Sequence, residues 1–183
     1  KTVYPEPVES WGFLPLFYAE KNNSTTVYNR YAFLLQIEIL LSFCNVRRDS
    51  KEDVVIVERS PFDSLHVFST LQVKEGSMSS EEFQLLHAVH SRFAWTTDAT
   101  LYIRCSPEVC KRRVDDRRRE CEKEVTLDYL KSLHAAYEGA MDDHHNVVMI
   151  DGDREFDLVY KDVKQALSIV GISVVRLSLF KRL

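Results

Sequence analysis

Four aliphatic residues, Val54 to Val57, run without a break and stop on Glu58, Arg59 and Ser60, with Pro61 next. A short continuous apolar run predicts a strand buried on both faces, as in a parallel sheet. Leu101 to Arg104 and Val147 to Ile150 read the same way, the last ending on Asp151, and Thr2 to Tyr4 reads as a shorter strand ending at Pro5. Residues 26 to 47 carry Val27, Tyr28, Tyr31, Leu34, Leu35, Ile37, Leu41 and Phe43 at spacings of three and four, which predicts one long amphipathic helix. Further helices are predicted over residues 13 to 21, from Pro61 to about Gln72, from the Ser79–Glu82 capping box to about Trp95, after Ser106-Pro107-Glu108, over residues 127 to 141, and from Asp157 to Val170. Strands alternating with helices predict an α/β fold with a parallel sheet covered on both faces.

Composition narrows this picture. With 183 residues, 45% hydrophobic and 28% charged, the chain is long enough for one globular domain with a sizeable core. A net charge of -4 makes a nucleic-acid surface a poor default. No stretch approaches the roughly 20 apolar residues of a membrane span. Cys44, Cys105, Cys110 and Cys121 form no Cys-x-x-Cys pair and have no accompanying His pattern, so they read as reduced thiols rather than zinc ligands. That usage suits a reducing intracellular compartment, with cytosol, nucleus and mitochondrion all open.

In open parallel sheets, ligands bind beyond the carboxyl ends of the strands. Glu6, the Glu58–Arg59 pair and Asp151 all follow predicted strands, and so fall at that rim. Arg112, Arg113, Arg117, Arg118 and Arg119 gather near one helix end. Grouped guanidiniums suit a polyphosphate, because each can bind phosphate oxygens bidentately. Taken alone, the run also fits a solvated helix end.

Taken together, Pro5-Glu6-Pro7-Val8-Glu9-Ser10-Trp11, Glu58-Arg59-Ser60, Ser106-Pro107-Glu108, the arginine run, Leu127-Asp128-Tyr129-Leu130 and Leu133-His134 are far more specific. In order and approximate spacing, from Thr2 to about Val170, the chain resembles the deoxyribonucleoside kinases, the family of thymidine kinase 2, deoxycytidine kinase and the insect multisubstrate kinase. The resemblance implies a P-loop-kinase-like parallel sheet flanked by helices. It also implies transfer of the ATP γ-phosphoryl group to a nucleoside 5′-hydroxyl with Mg²⁺, and a homodimer built on helix packing, for which residues 26 to 47 and 80 to 97 are candidates.

By the same resemblance, Glu6 matches the general base, Arg59 the arginine that orients it, and Glu58 the acid that holds Mg²⁺ through water. Trp11 matches the aromatic wall of the base pocket, and Tyr18 with Glu122 the pair that bonds the sugar 3′-hydroxyl. Asn29 matches the base-reading amide. Gln36 and Ser64 stand where relatives that accept deoxycytidine and purines carry Arg and Asp. Arg117 and Arg119 match lid arginines that close on the phosphates, and Arg113 a residue that stacks on the donor adenine; Asp153 to Phe156 border that adenine. The uncharged Gln36–Ser64 pair implies thymidine or deoxyuridine as better substrates, deoxycytidine as weaker and purines as poorest.

The family's glycine-rich phosphate loop, Gly-x-x-x-x-Gly-Lys-Ser/Thr, does not occur, since none of the five glycines is followed by Lys and Ser/Thr. Its strand would lie between those matching Val54–Val57 and Leu101–Arg104. The chain therefore reads as a single kinase-like domain, N-terminally incomplete, whose central strand lies upstream and whose activity depends on it. Two alternatives stay open: a kinase-like fold kept for binding or assembly, and a nucleoside monophosphate kinase.

Overall fold

The computed structural model describes residues 2–23, 26–49, 54–118 and 125–169. The chain divides into two compact units, residues 1–96 and 97–183. In the first unit, β1 (Thr2–Tyr4) pairs in parallel with β2 (Val55–Val57), Thr2 opposite Val55 and Tyr4 opposite Val57. Helices α1 (Phe13–Asn23) and α2 (Arg30–Asp49) lie between them in sequence. After β2 the chain enters a continuous helix over residues 61–74. Its middle, Asp63–Ser69, is π-helical, and its last turn is α3 (Thr70–Lys74). Helix α4 (Ser80–Phe93) starts at the predicted capping box: Ser79 Oγ accepts from Glu82 N at 3.2 Å, and the Glu82 carboxylate accepts from Ser79 N at 2.8 Å.

The core of this unit gathers along α2, which buries Ala32, Leu35, Gln36, Ile39, Leu40 and Phe43. Those positions follow the three-and-four spacing of a helix face. The expected face was rotated, however. Val27, Tyr28, Leu34 and Leu41 are exposed, and α2 begins at Arg30. Apolar residues occur almost all round this helix, so periodicity alone cannot choose the side that α1 and α4 cover. The β2 run also departs from full burial. Val55 is 38% exposed, because among the described residues β2 has one hydrogen-bonded neighbour, β1.

In the second unit, β3 (Thr100–Arg104) pairs in parallel with β4 (Val147–Asp151), Thr100 opposite Val147 and Arg104 opposite Asp151. Helices α5 (Pro107–Arg117) and α6 (Leu127–Asp142) connect them, and α7 (Phe156–Ile169) follows. Helix α7 buries Val159, Val163, Ala166 and Leu167. Gly152, just past β4, donates to Arg104 O at 2.7 Å. A Cβ there would lie 2.8 Å from Ile103 Cγ2 and 2.9 Å from Arg104 O, so only glycine allows this approach. Among the described residues the strands form two two-stranded parallel ladders, β1 with β2 and β3 with β4.

Candidate active site

Parallel pairing sets the geometry at the tip of the first ladder. Glu58 N donates to Tyr4 O at 2.9 Å, carrying the register one residue past β2. Both strands therefore end side by side, and the segments that leave them meet. Glu6 N donates to Glu58 Oε2 at 3.2 Å, and Arg59 Nη1 donates to Glu6 Oε1 at 2.9 Å. The Glu6 side chain is 8% exposed and that of Arg59 40%. Burial raises the Glu6 pKa above the ordinary glutamate value. Arg59 opposes the shift, and the negative charges of Glu58 and Asp63 add to it.

Arg59 is held from two sides. Its φ is 63°, a left-handed conformation that non-glycine residues adopt at a cost. Its guanidinium lies 4.7 Å from the centre of the Phe68 ring, within cation–π range. The next residue, Ser60, is buried. Its N–H and hydroxyl both donate to Asp63 Oδ2, at 2.8 and 2.9 Å, which fixes the entry to the helix. The π-helical stretch that follows carries both Ser64 and Phe68.

Trp11 is buried in the core cluster, its Nε1 donating to Ser42 Oγ at 3.4 Å. Tyr18 packs partly buried against that cluster, edge-on to Phe17 at 5.4 Å. Glu38, which sequence reasoning missed, accepts from Gly12 N at 2.9 Å and Phe13 N at 3.0 Å, one bond on each carboxylate oxygen. It thus ties α2 to the N-terminus of α1, directly after Trp11. A lone acid in the apolar run Leu34-Leu35-Gln36-Ile37-Glu38-Ile39-Leu40-Leu41 was the available signal.

Gln36 and Ser64 are 2% and 3% exposed, and Ser64 Oγ donates to Gln36 Oε1 at 2.8 Å. The Gln36 NH₂ makes no hydrogen bond among the described residues. Gln36 is nonetheless among the fully buried side chains. Asn29 has structural partners on both sides. It is buried, its Nδ2 donates to Phe17 O at 2.8 Å, and its Oδ1 accepts from Tyr31 N at 3.0 Å in the first turn of α2. Both ends of the amide thus help to cap α2 and to hold α1, and one N–H and one oxygen lone pair are not used by these two bonds.

In the second unit, Arg113 on α5 donates from Nη1 to Cys105 Sγ at 3.4 Å and from Nη2 to Arg154 O at 3.1 Å. Asp153 Oδ1 accepts from Ser106 N at 2.7 Å and so caps the start of α5; this contact lowers its pKa. Arg117 is the last residue of α5, and Arg118 follows with φ 52°. Arg119 and Glu122 lie outside the described residues, as therefore does the expected Tyr18–Glu122 pair. Among the described residues, no three His, Cys, Asp or Glu side chains cluster as metal ligands, and no helix is long and apolar enough to cross a membrane.

Residues 1–172 match the family model for deoxynucleoside kinases. The chain belongs to the deoxynucleoside kinase family. It is 33% identical over 169 residues to "Putative kinase protein 029R" of Invertebrate iridescent virus 3, covering 91% of this chain and 84% of that protein. It is 29% identical over 175 residues to the thymidine kinase of Ictalurid herpesvirus 1 (strain Auburn), covering 90% of this chain and 72% of that protein. A solved structure of deoxyadenosine kinase from M. mycoides superposes with a TM-score of 0.78 at 15% identity, covering 92% of this chain and 86% of that one. For this member of the family, that likeness shows the fold, the P-loop kinase fold expected from the motifs. Relatives named deoxycytidine, deoxyguanosine and thymidine kinases all match, so membership supports a phosphotransferase and leaves the nucleoside unassigned.

Proposed function

We propose that this protein transfers the ATP γ-phosphoryl group to the 5′-hydroxyl of a deoxynucleoside, with a preference for thymidine or deoxyuridine. The observation that carries the reading is the Glu6–Arg59 pair at the tips of two parallel strands, with Glu6 buried and its proton affinity raised. A carboxylate poised above its ordinary pKa is a better acceptor for a hydroxyl proton, and such a base contributes about 10²–10⁴-fold. Arg59 keeps that carboxylate oriented, and its exposed guanidinium can also face developing negative charge on the transferred group.

Mg²⁺ takes one or two carboxylates together with phosphate oxygens and water. Glu58 fits that need: it is exposed at the same strand tip, with one carboxylate oxygen on Glu6 N. When bound, the ion would neutralise phosphate charge. Trp11 and Tyr18 are assigned to the nucleoside, as is the Gln36–Ser64 pair, whose free Gln36 NH₂ can donate to a base carbonyl. Glu122 is assigned to the sugar, and Arg113, Arg117 and Arg119 to the phosphate donor. An uncharged amide–hydroxyl pair leaves room for a thymine methyl, a discrimination of about 1–3 kcal/mol at most. Exposed Leu34 and Leu41 on α2, and Leu85 and Phe93 on α4, support a homodimer through those helices.

The test is a kinetic panel on the full-length protein: thymidine, deoxycytidine, deoxyadenosine and deoxyguanosine with ATP and Mg²⁺. Phosphorylation of thymidine at the highest kcat/KM is expected. A preference for either purine would overturn the pocket assignment, and no transfer to any nucleoside would favour a binding or assembly role.

A further inference from the structure

Helix α5 starts with Ser106 as its N-cap and Pro107 in its first position. Cys105 therefore precedes the cap, and Cys110 is the fourth helical residue. Side chains at these two positions pack against each other across a helix start, a contact usually made by two hydrophobic residues. Here both are thiols. Cys110 Sγ lies 3.9 Å from Cys105 O, and both residues are partly accessible. A cation completes the group, since Arg113 Nη1 donates to Cys105 Sγ at 3.4 Å. A dithiol beside a guanidinium, partly open to solvent, is the setting in which a thiolate forms and reacts. The protonation of the pair agrees. The Cys110 thiol is lowered to about 7, first by its hydrogen bond with Cys105 and also by Arg113, while Cys105 is pushed up, first by that same bond. Cys44 is the contrast: it is in the first unit, its thiol donates to Phe93 O at 3.5 Å, and burial raises its pKa.

We propose that Cys105 and Cys110 form a peroxide-sensitive dithiol that closes to a disulfide and loosens Arg113. In the first step the Cys110 thiolate attacks a hydroperoxide. An S–O bond forms, the O–O bond breaks, and the leaving alkoxide takes a proton to become an alcohol, or water in the case of hydrogen peroxide. In the second step the Cys105 sulfur attacks the Cys110 sulfenic acid. The S–S bond forms, and hydroxide leaves as water with the Cys105 proton. The sulfur pair gives up two electrons and the peroxide accepts them. Arg113 loses its thiol partner in the closed form. The consequence for the phosphate donor rests on the function proposed above, whereas the thiol chemistry does not.

Trypsin isolates the pair, because cleavage after Arg104 and Lys111 gives one peptide, residues 105–111, with both cysteines. The full-length protein is treated with hydrogen peroxide, blocked with iodoacetamide and digested. The expected result is a 105–111 peptide short of two hydrogens and unalkylated, restored by dithiothreitol. Cys105→Ser should stop at a Cys110 sulfenic acid trapped by dimedone, and Cys110→Ser should give no adduct on Cys105. In the active enzyme, oxidation should raise the KM for ATP roughly two- to tenfold, the loss of one hydrogen bond on Arg113, and reversibly. A peptide that stays fully alkylated would overturn the proposal, as would a disulfide to Cys44 or Cys121 instead. A chain with no kinase activity would count against the proposed function and leave the peptide mass to decide the thiol pair.

Discussion

Arg59 Nη1 meets Glu6 Oε1 at 2.9 Å across 53 positions of sequence, because β1 and β2 are parallel neighbours that end together. The pair is not a surface salt bridge. Glu6 is nearly enclosed, and its charge is supported chiefly by one guanidinium. Removing Glu6 should therefore affect chemistry more than folding, whereas removing Arg59 leaves an enclosed carboxylate without its cation and should affect both.

Glu6→Gln preserves shape and removes the proton acceptor. Turnover should fall by about 10²–10⁴-fold with the nucleoside KM nearly unchanged, since a general base acts on the barrier. Steady-state kinetics on the full-length protein decide this, and unchanged turnover would remove Glu6 from the mechanism.

The same substitution makes a stability prediction. The Glu6 pKa is raised in the folded state, mainly by burial. The native protein therefore binds this proton more tightly than the unfolded chain does. The contribution of Glu6 is fully present below the unfolded pKa and is lost as pH rises through the folded one. At neutral pH Glu6→Gln should be more stable than the parent, and the difference should shrink as the pH is lowered through the carboxylate range. Urea midpoints at several pH values measure it; a variant less stable than the parent at neutral pH would contradict the burial argument.

Arg59 has a φ of 63°, where a side chain costs about 1–2 kcal/mol relative to glycine. Arg59→Gly should therefore be more stable than Arg59→Ala by about 1 kcal/mol, although both lose turnover. Equal denaturation midpoints would mean that the backbone at this position relaxes.

Asn29 and Gln36 separate structure from recognition. Asn29→Ala removes the cap of α2 and the bond to Phe17 O, which should cost about 1–2 kcal/mol of stability and leave the nucleoside KM near the parent value. Gln36→Ala should instead raise that KM while the KM for ATP holds. The reverse pattern would return the base contact to Asn29.

Glu38→Ala removes both acceptors at the start of α1 and should cost about 1–3 kcal/mol. Because Trp11 lies at that junction, the nucleoside KM should rise more than kcat falls, and Glu38→Gln, which keeps one acceptor, should recover part of the loss. Equal effects of Ala and Gln would show that a single retained hydrogen bond is not enough.

The sequence by itself determined the strands and their polar tips. Glu-Arg-Ser after an aliphatic run and Pro-Glu-Pro after a short strand both mark strand ends, and the motif order was enough to reach the family. Helix starts such as Ser79–Glu82 were also legible, because a cap is local chemistry among neighbours in the chain. What only the tertiary structure decided was which side of an element is used and what each polar group bonds. Helix α2 is apolar around most of its circumference, and packing against α1 and α4 chose the stripe from Ala32 to Phe43. The bonds of Asn29 to Phe17 O and Tyr31 N, brought to it by the turn between α1 and α2, were not legible in the chain either. Glu38 and Phe68 gain their roles from Gly12 and Arg59, partners that are distant in sequence or fixed by a left-handed turn. Local propensity is written in neighbouring residues, whereas hydrogen-bond partners across elements depend on register and packing, which no stretch of sequence carries alone.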